Sequence, residues 1–341
     1  MTLMIPFVFV GCALAIAIWA LSRKDDTARF LERLTAAPTA KRLLQAEKPN
    51  GRSRFYLLHN PAAGRNDTGL VNRVVEELRA RGAIVDMHEL STDLPPSSAL
   101  AETYDAIVVS GGDGSIRSVA AAYTTTIALG VIPNGTGNVL AEELALPRSA
   151  EDIAELLIHG PAHVIQGGTV RGEPFLLMFG AGFDGEIVKR ISRATLRSMG
   201  KLAYFGPVLG ALMTRPYLFE IDTDGVKSWA SWVLISNAAH YAGRFRLTDR
   251  TNILEPGLIA VISRATTRRE RIAELLRLAV GTFPRTPTIE VRSLQRAEIR
   301  MLDVPAQADG EPLLTGPCVI ERGGFETKII APSRCPGDAT L

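Results

Sequence analysis

Between Arg54 and Pro133 four short apolar runs alternate with helix-like segments, and that alternation constrains the fold more than any other feature of the chain. "RFYLLHN", "AIVDMHEL", "AIVVS" and "IALGVI" are too apolar for loops and have the length of buried strands. After the first run comes "GLVNRVVEELRARG", whose apolar residues recur at helical spacing and which Gly82 closes. "SIRSVAAAY" separates the third run from the fourth, and "NVLAEEL" and "AEDIAELLIHG" follow as helices. Strands separated by helices pair in parallel, so residues 52–160 predict an open parallel α/β sheet. Ligands of such sheets bind at the carboxyl ends of the strands.

Beyond residue 160 the texture changes to short strands marked off by turn signals, and residues 161–332 predict a β-rich, sandwich-like second domain. The Asp224-Gly225 pair suits a tight hairpin. Helices are expected near Glu186–Arg197 and Arg268–Gly281. The uncharged run from Leu202 to Met213 is too short to span a bilayer and reads as a buried core segment, with a membrane- or acyl-chain-facing surface as the alternative.

The first 22 residues set a different constraint. Thr2 to Leu21 carries no charge over 20 residues, the length of a membrane-spanning helix. Basic residues follow it (Arg23, Lys24, Arg29, Arg33, Lys41, Arg42) and none precedes it, which orients the downstream side to the cytoplasm. The expectation is a single-pass signal anchor in the cell membrane, a tether over residues 23–51, two cytoplasmic domains, and a tail over 333–341. A net charge of +2 excludes a strongly basic nucleic-acid binder. Three cysteines without C-x-x-C spacing argue against a disulfide framework or a thiolate zinc site.

Three of the strands end in loops suited to phosphate. "NPAAGR" (Asn60, Pro61, Ala63, Gly64, Arg65) offers a small turn and a guanidinium that can clamp phosphate in two places. "GGDGS" (Gly111, Gly112, Asp113, Gly114, Ser115) leads into a helix, so glycine N–H groups and the helix N-terminus point at one anion. "NGTGN", with Gly135, Thr136, Gly137 and Asn138, adds a hydroxyl and an amide. Asp113 would repel phosphate directly; it makes sense through a cation such as Mg²⁺, which binds through one or two carboxylates and keeps waters. Far downstream, "QADGEPLL" brackets a glycine with Asp309 and Glu311. Either Glu311 or Asp113 could serve as the base for a substrate hydroxyl. Neither a Walker A nor a G-x-G-x-x-G signature occurs.

The ordered set "NPAAGR", "SGGDGS", "PNGTGN", "GAGFDGEIV" and "QADGE" resembles the diacylglycerol kinase catalytic-domain family, which includes bacterial lipid kinases and sphingosine and ceramide kinases. The resemblance runs from about residue 52 to 332. It implies ATP- and Mg²⁺-dependent phosphorylation of a lipid hydroxyl, with nucleotide between the two domains. By the same resemblance Thr92, in "LSTD", lies near the nucleotide, the glycine-rich loops hold its phosphates, Asp113 serves the metal, and Glu311 is the general base. The chain departs from the family pattern in places: Ser115 replaces a commoner Thr, "SIRSV" lacks the "NE" pair often found there, Val139 follows "GTGN", and Glu255-Pro256-Gly257 stands where an acidic pair is common.

The implied partners are a membrane lipid substrate and the membrane itself, with no nucleic acid; a homodimer is left open. Two other functions remain compatible with the residues: a kinase for a soluble nucleotide of the NAD kinase type, and a catalytically silent, membrane-tethered nucleotide-binding protein.

Overall fold

The computed structural model describes residues 51–63, 68–91, 94–123, 125–242, 245–248, 250–300 and 303–333. The expected membrane span at Thr2–Leu21 and nearly all of the tether therefore lie outside the described residues, as do Gly64, Arg65 and Thr92. Among the described residues no helix is long and apolar enough to cross a membrane.

The first unit follows the alternation in the sequence. Its elements are β1 (Arg54–His59), α1 (Thr68–Ala80), β2 (Ile84–Glu89), α2 (Ser97–Thr103), β3 (Ala106–Gly111), α3 (Asp113–Tyr123), β4 (Ala128–Pro133), α4 (Val139–Glu143) and α5 (Ala150–His159). The strands pair in parallel in the order β2-β1-β3-β4. All six residues of β3 are buried, because the strand is central and covered on both faces. One face meets α1 and α5. Val71, Val74, Val75 and Leu78 of α1, spaced three and four apart, pack there with Ile153, Ala154, Leu157 and Ile158 of α5. The other face meets Ile116, Val119 and Tyr123 of α3 and Leu140 of α4.

The second unit comprises β5 (Ala162–Val170), β6 (Glu173–Phe175), β7 (Met178–Gly182), α6 (Phe183–Arg190), α7 (Arg193–Met199), α8 (Phe205–Met213), β8 (Phe219–Thr223), β9 (Val226–Ala230), β10 (Trp232–Ser236), β11 (His240–Tyr241), β12 (Phe245–Arg246), β13 (Leu258–Ser263), α9 (Arg268–Ala279), β14 (Ile289–Leu294), β15 (Arg296–Ile299), β16 (Ala306–Ala308), β17 (Glu311–Leu313) and β18 (Cys318–Ile330). A six-stranded sheet, β14-β13-β10-β7-β16-β17, faces part of a ten-stranded one. Phe179, Val233, Ile235 and Ala260 from the smaller sheet close a sandwich core with Phe219, Ile221, Ala297 and Ile320 from the larger. The long strand β18 belongs to both units. It pairs antiparallel with β5 and β15, and its Ile329 reaches Leu129 of β4 in parallel register.

Two local expectations are corrected. The helix expected over Glu186–Arg197 breaks at Ile191 and Ser192, both extended, which separates α6 from α7. The run from Leu202 to Met213 is not a buried core segment. Ala211 and Leu212 pack against Phe183 and Ile187 of α6, while Leu202 is 60% and Phe205 41% exposed. The helix Phe205–Met213 also meets α9, whose Arg268 donates to the Met213 carbonyl at 2.6 Å, so the segment is covered in part only.

Candidate active site

The order β2-β1-β3 places a topological switch point between β1 and β3, where their following chains part to opposite sides and leave a crevice. The three glycine-bearing loops meet there. Asn60 follows β1, and its amide donates to Ser115 Oγ at 2.8 Å while its Oδ1 accepts the Ala62 N–H at 2.9 Å. Ala63 closes the same turn by donating to the Asn60 carbonyl at 3.1 Å, and Pro61 is exposed on it. Asn138 Oδ1 accepts the Gly135 N–H at 2.7 Å and holds the third loop in shape. A Cβ on Gly135 would lie 2.4 Å from the Gly112 Cα, so the second and third loops touch backbone to backbone. Glycine is needed there for contact between loops before any ligand arrives. Gly114, Thr136 and Gly137 are half-buried around this junction, and Gly111 packs directly against Ser115.

Asp113 opens α3 and ties the loops together. Its carboxylate accepts the N–H groups of Val139 and Leu140, each at 3.0 Å, which are the orphan donors at the start of α4. Burial raises its pKa, backbone hydrogen bonds oppose the rise, and the charge of Glu142 adds to it. A carboxylate has about four acceptor sites, so lone pairs remain for a cation. Among the described residues no three His, Cys, Asp or Glu converge to hold a metal. A single carboxylate fits a Mg²⁺ ion whose other ligands are phosphate oxygens and water.

Glu311 arrives from the other unit. Asp309 and Gly310, at φ 48° and 81°, form a two-residue type I′ turn, and Ala308 pairs with Glu311 across it. The Asp309 carboxylate accepts the N–H groups of Leu176, Leu177 and Met178 at 2.6, 2.8 and 3.0 Å, which pins the hairpin to the start of β7. Glu311 Oε1 then lies 3.4 Å from where a Cβ on Gly114 would sit. Its Oε2 accepts from Arg117 Nη2 at 2.7 Å. Of the two candidate bases, Asp113 has both oxygens bound to backbone, whereas the Glu311 side chain is 41% exposed beside the glycine loop.

A second polar set lies beneath. Asp184, in "GAGFDGEIV", is buried and accepts from the Tyr241 hydroxyl and from Gln307 Nε2 at 2.5 Å. Burial raises its carboxyl, and the two donors pull it back. The Tyr204 phenol is raised by desolvation first, and the charges of Asp184 and Asp113 add to the rise.

Two family profiles match this chain: the diacylglycerol kinase catalytic domain over residues 54–170, and the YegS C-terminal NAD kinase beta sandwich-like domain over 178–330. A protein of Pseudomonas putida described as a probable lipid kinase, YegS-like, is 30% identical over 278 residues, covering 77% of this chain and 90% of its own length. The chain belongs to the diacylglycerol kinase catalytic-domain family. It is an enzyme of the kinase class with an alcohol acceptor. An uncharacterized protein of Synechocystis is 29% identical over 66% of this chain, and the chain spans 54% of that relative's length. A crystal structure of a diacylglycerol kinase from Bacillus anthracis shares the fold, with a TM-score of 0.62 at 20% identity over 83% of this chain and 98% of that one.

The structure brings the described parts of the three expected loops and Glu311 together; the motifs "GAGFDGEIV" and "QADGE" contain Asp184 and Gln307 without assigning them a role, and Arg117 and Tyr241 are not marked by the sequence. Asp184 carried a usable signal, since an acid set among glycines after an apolar strand is the same texture as Asp113. Nothing local marked Arg117, whose partner lies 194 residues away.

Proposed function

We propose that this kinase transfers the γ-phosphate of ATP to the hydroxyl of a membrane lipid of the diacylglycerol or sphingoid type, with Mg²⁺. The observation that carries the reading is the approach of Glu311, from the β-rich unit, to the glycine loop of the α/β unit. In this reading Glu311 is a proton acceptor and the glycine loop beside it a phosphate cradle. Glu311 takes the proton of the lipid hydroxyl, the hydroxyl oxygen bonds to the γ-phosphorus, and the bond to the β-phosphate oxygen breaks to release ADP. Asn60, Gly112, Gly114, Ser115 and the Gly135–Asn138 loop hold the phosphates. Asp113 would hold Mg²⁺, which when bound neutralises charge on the phosphate oxygens. Gly64, Arg65 and Thr92 complete the nucleotide site in this reading.

A lipid acceptor is supported by the apolar side of the segment carrying Tyr204. Met199, Leu202, Phe205 and Met213 are exposed there by 41–60%. The uncharged run at Thr2–Leu21 would anchor the chain in the cell membrane with both domains on the cytoplasmic side, where ATP and the bilayer meet.

The test is transfer of label from γ-labelled ATP to a total lipid extract, with NAD as a parallel acceptor. A labelled lipid that Asp113→Asn abolishes while the fold is retained is the expected result. Label on NAD alone, or on neither acceptor, would overturn the reading.

A further inference from the structure

Arg117 stands four residues after Asp113, on the same face of α3, and its Nη2 donates to Glu311 Oε2 at 2.7 Å while Nη1 approaches the Ala308 carbonyl at 3.4 Å. It lies in the segment "SIRSV". Both side chains are half-covered, at 21% and 41% exposure.

The hairpin backbone does not need this ion pair. It is already held by the three N–H groups bound to Asp309 and by the ladder between β16 and β7. What Arg117 adds is the direction of the Glu311 side chain. An extended glutamate on an edge hairpin has several rotamers, and a guanidinium fork selects one of them. The selected one turns Oε1 toward Gly114.

We propose that Arg117 is a positioning residue for phosphoryl transfer: rooted in the helix that follows the phosphate loop, it holds the base of the opposite domain over that loop. The inference rests on the reading of Glu311 as proton acceptor. Arg117 and Glu311 then work as one unit, and removing the arginine disorders the base without disturbing the nucleotide.

The experiment is a double-mutant cycle of Arg117→Ala, Glu311→Gln and the pair, with Arg117→Lys as the conservative variant, read by label transfer to the same lipid extract. ATP affinity by displacement of a fluorescent nucleotide and thermal stability are measured alongside. Arg117→Ala should lower kcat about 10- to 100-fold, the scale of a misplaced catalytic group, with ATP affinity and melting temperature nearly unchanged. Arg117→Lys should recover part of the loss. In the Glu311→Gln background the same alanine change should cost no more than about 2-fold, because coupled residues are non-additive. An equal cost in both backgrounds would overturn the inference, and so would a fall in ATP affinity matching the fall in kcat, which would make Arg117 a nucleotide ligand. A wild-type rate in Glu311→Gln, or no transfer by the wild type, would instead remove the reading of the site, and the inference with it.

Discussion

Two hairpins in this molecule are built from the same two residues in the same conformation, and only one of them meets the candidate site. Asp224-Gly225 joins β8 to β9 with φ 50° and 84°; Asp309-Gly310 joins β16 to β17 with φ 48° and 81°. Even the supporting bonds correspond. The Gly225 N–H is taken by Asp222 Oδ1 at 2.8 Å, and the Gly310 N–H by Gln307 Oε1 at 2.7 Å. The difference is what each turn meets. Asp224 binds the N–H groups of Gln295 and Arg296 at the start of β15, and its hairpin continues into Val226 of the edge strand β9, 53% exposed. Asp309 is bound to the start of β7, and its hairpin continues into Glu311 against the glycine loop at Gly114. Turn chemistry makes a hairpin; its docking decides what it meets.

The largest expected effect lies in the residue after each turn. Glu311→Gln should reduce kcat by about 10²- to 10⁴-fold, the range for losing a general base, with ATP affinity retained. Val226→Gln should leave the rate of label transfer unchanged. Equal losses would erase the distinction between the hairpins.

The aspartates come next. Asp309→Asn puts an amide N–H against one of three backbone donors in a buried place and should cost about 1–3 kcal/mol of stability in urea unfolding. Asp224→Asn, at an exposed turn, should cost about 0.5–1 kcal/mol. The activity loss should follow Asp309 alone.

The glycines should differ least in stability. A Cβ on Gly225 or on Gly310 would meet nothing within 4 Å, so the whole cost of an alanine is its left-handed backbone. That cost is roughly 1–2 kcal/mol at either position. Matching shifts in the unfolding midpoint with a rate defect only in Gly310→Ala would sharpen the comparison. A larger shift at Gly310 would mean that the turn is strained by its docking.

Much of the first unit was legible because its signals are local. The spacing of Val71, Val74, Val75 and Leu78, the unbroken apolarity of Ala106–Val109 and the closure at Gly82 are properties of neighbouring residues. The run from Leu202 to Met213 was misread for the complementary reason. Apolarity shows that a segment avoids water, while its burial depends on whether another element covers it, and here α6 and α9 cover it only in part.

The sequence by itself determined the parallel α/β order, the three phosphate-suited loops at strand ends, and the Asp-Gly turns, since each follows from periodicity or from the backbone freedom of particular residues. Only the tertiary structure decided that Gly112 meets Gly135, that Asp113 caps α4, and that Arg117 closes on Glu311 across 194 residues. The first two depend on β3 lying beside β4 in one sheet, and the third on the β-rich unit docking on the first, through which β18 runs. Contacts between residues distant in the chain are set by how whole elements dock, and no stretch of neighbouring residues encodes that geometry.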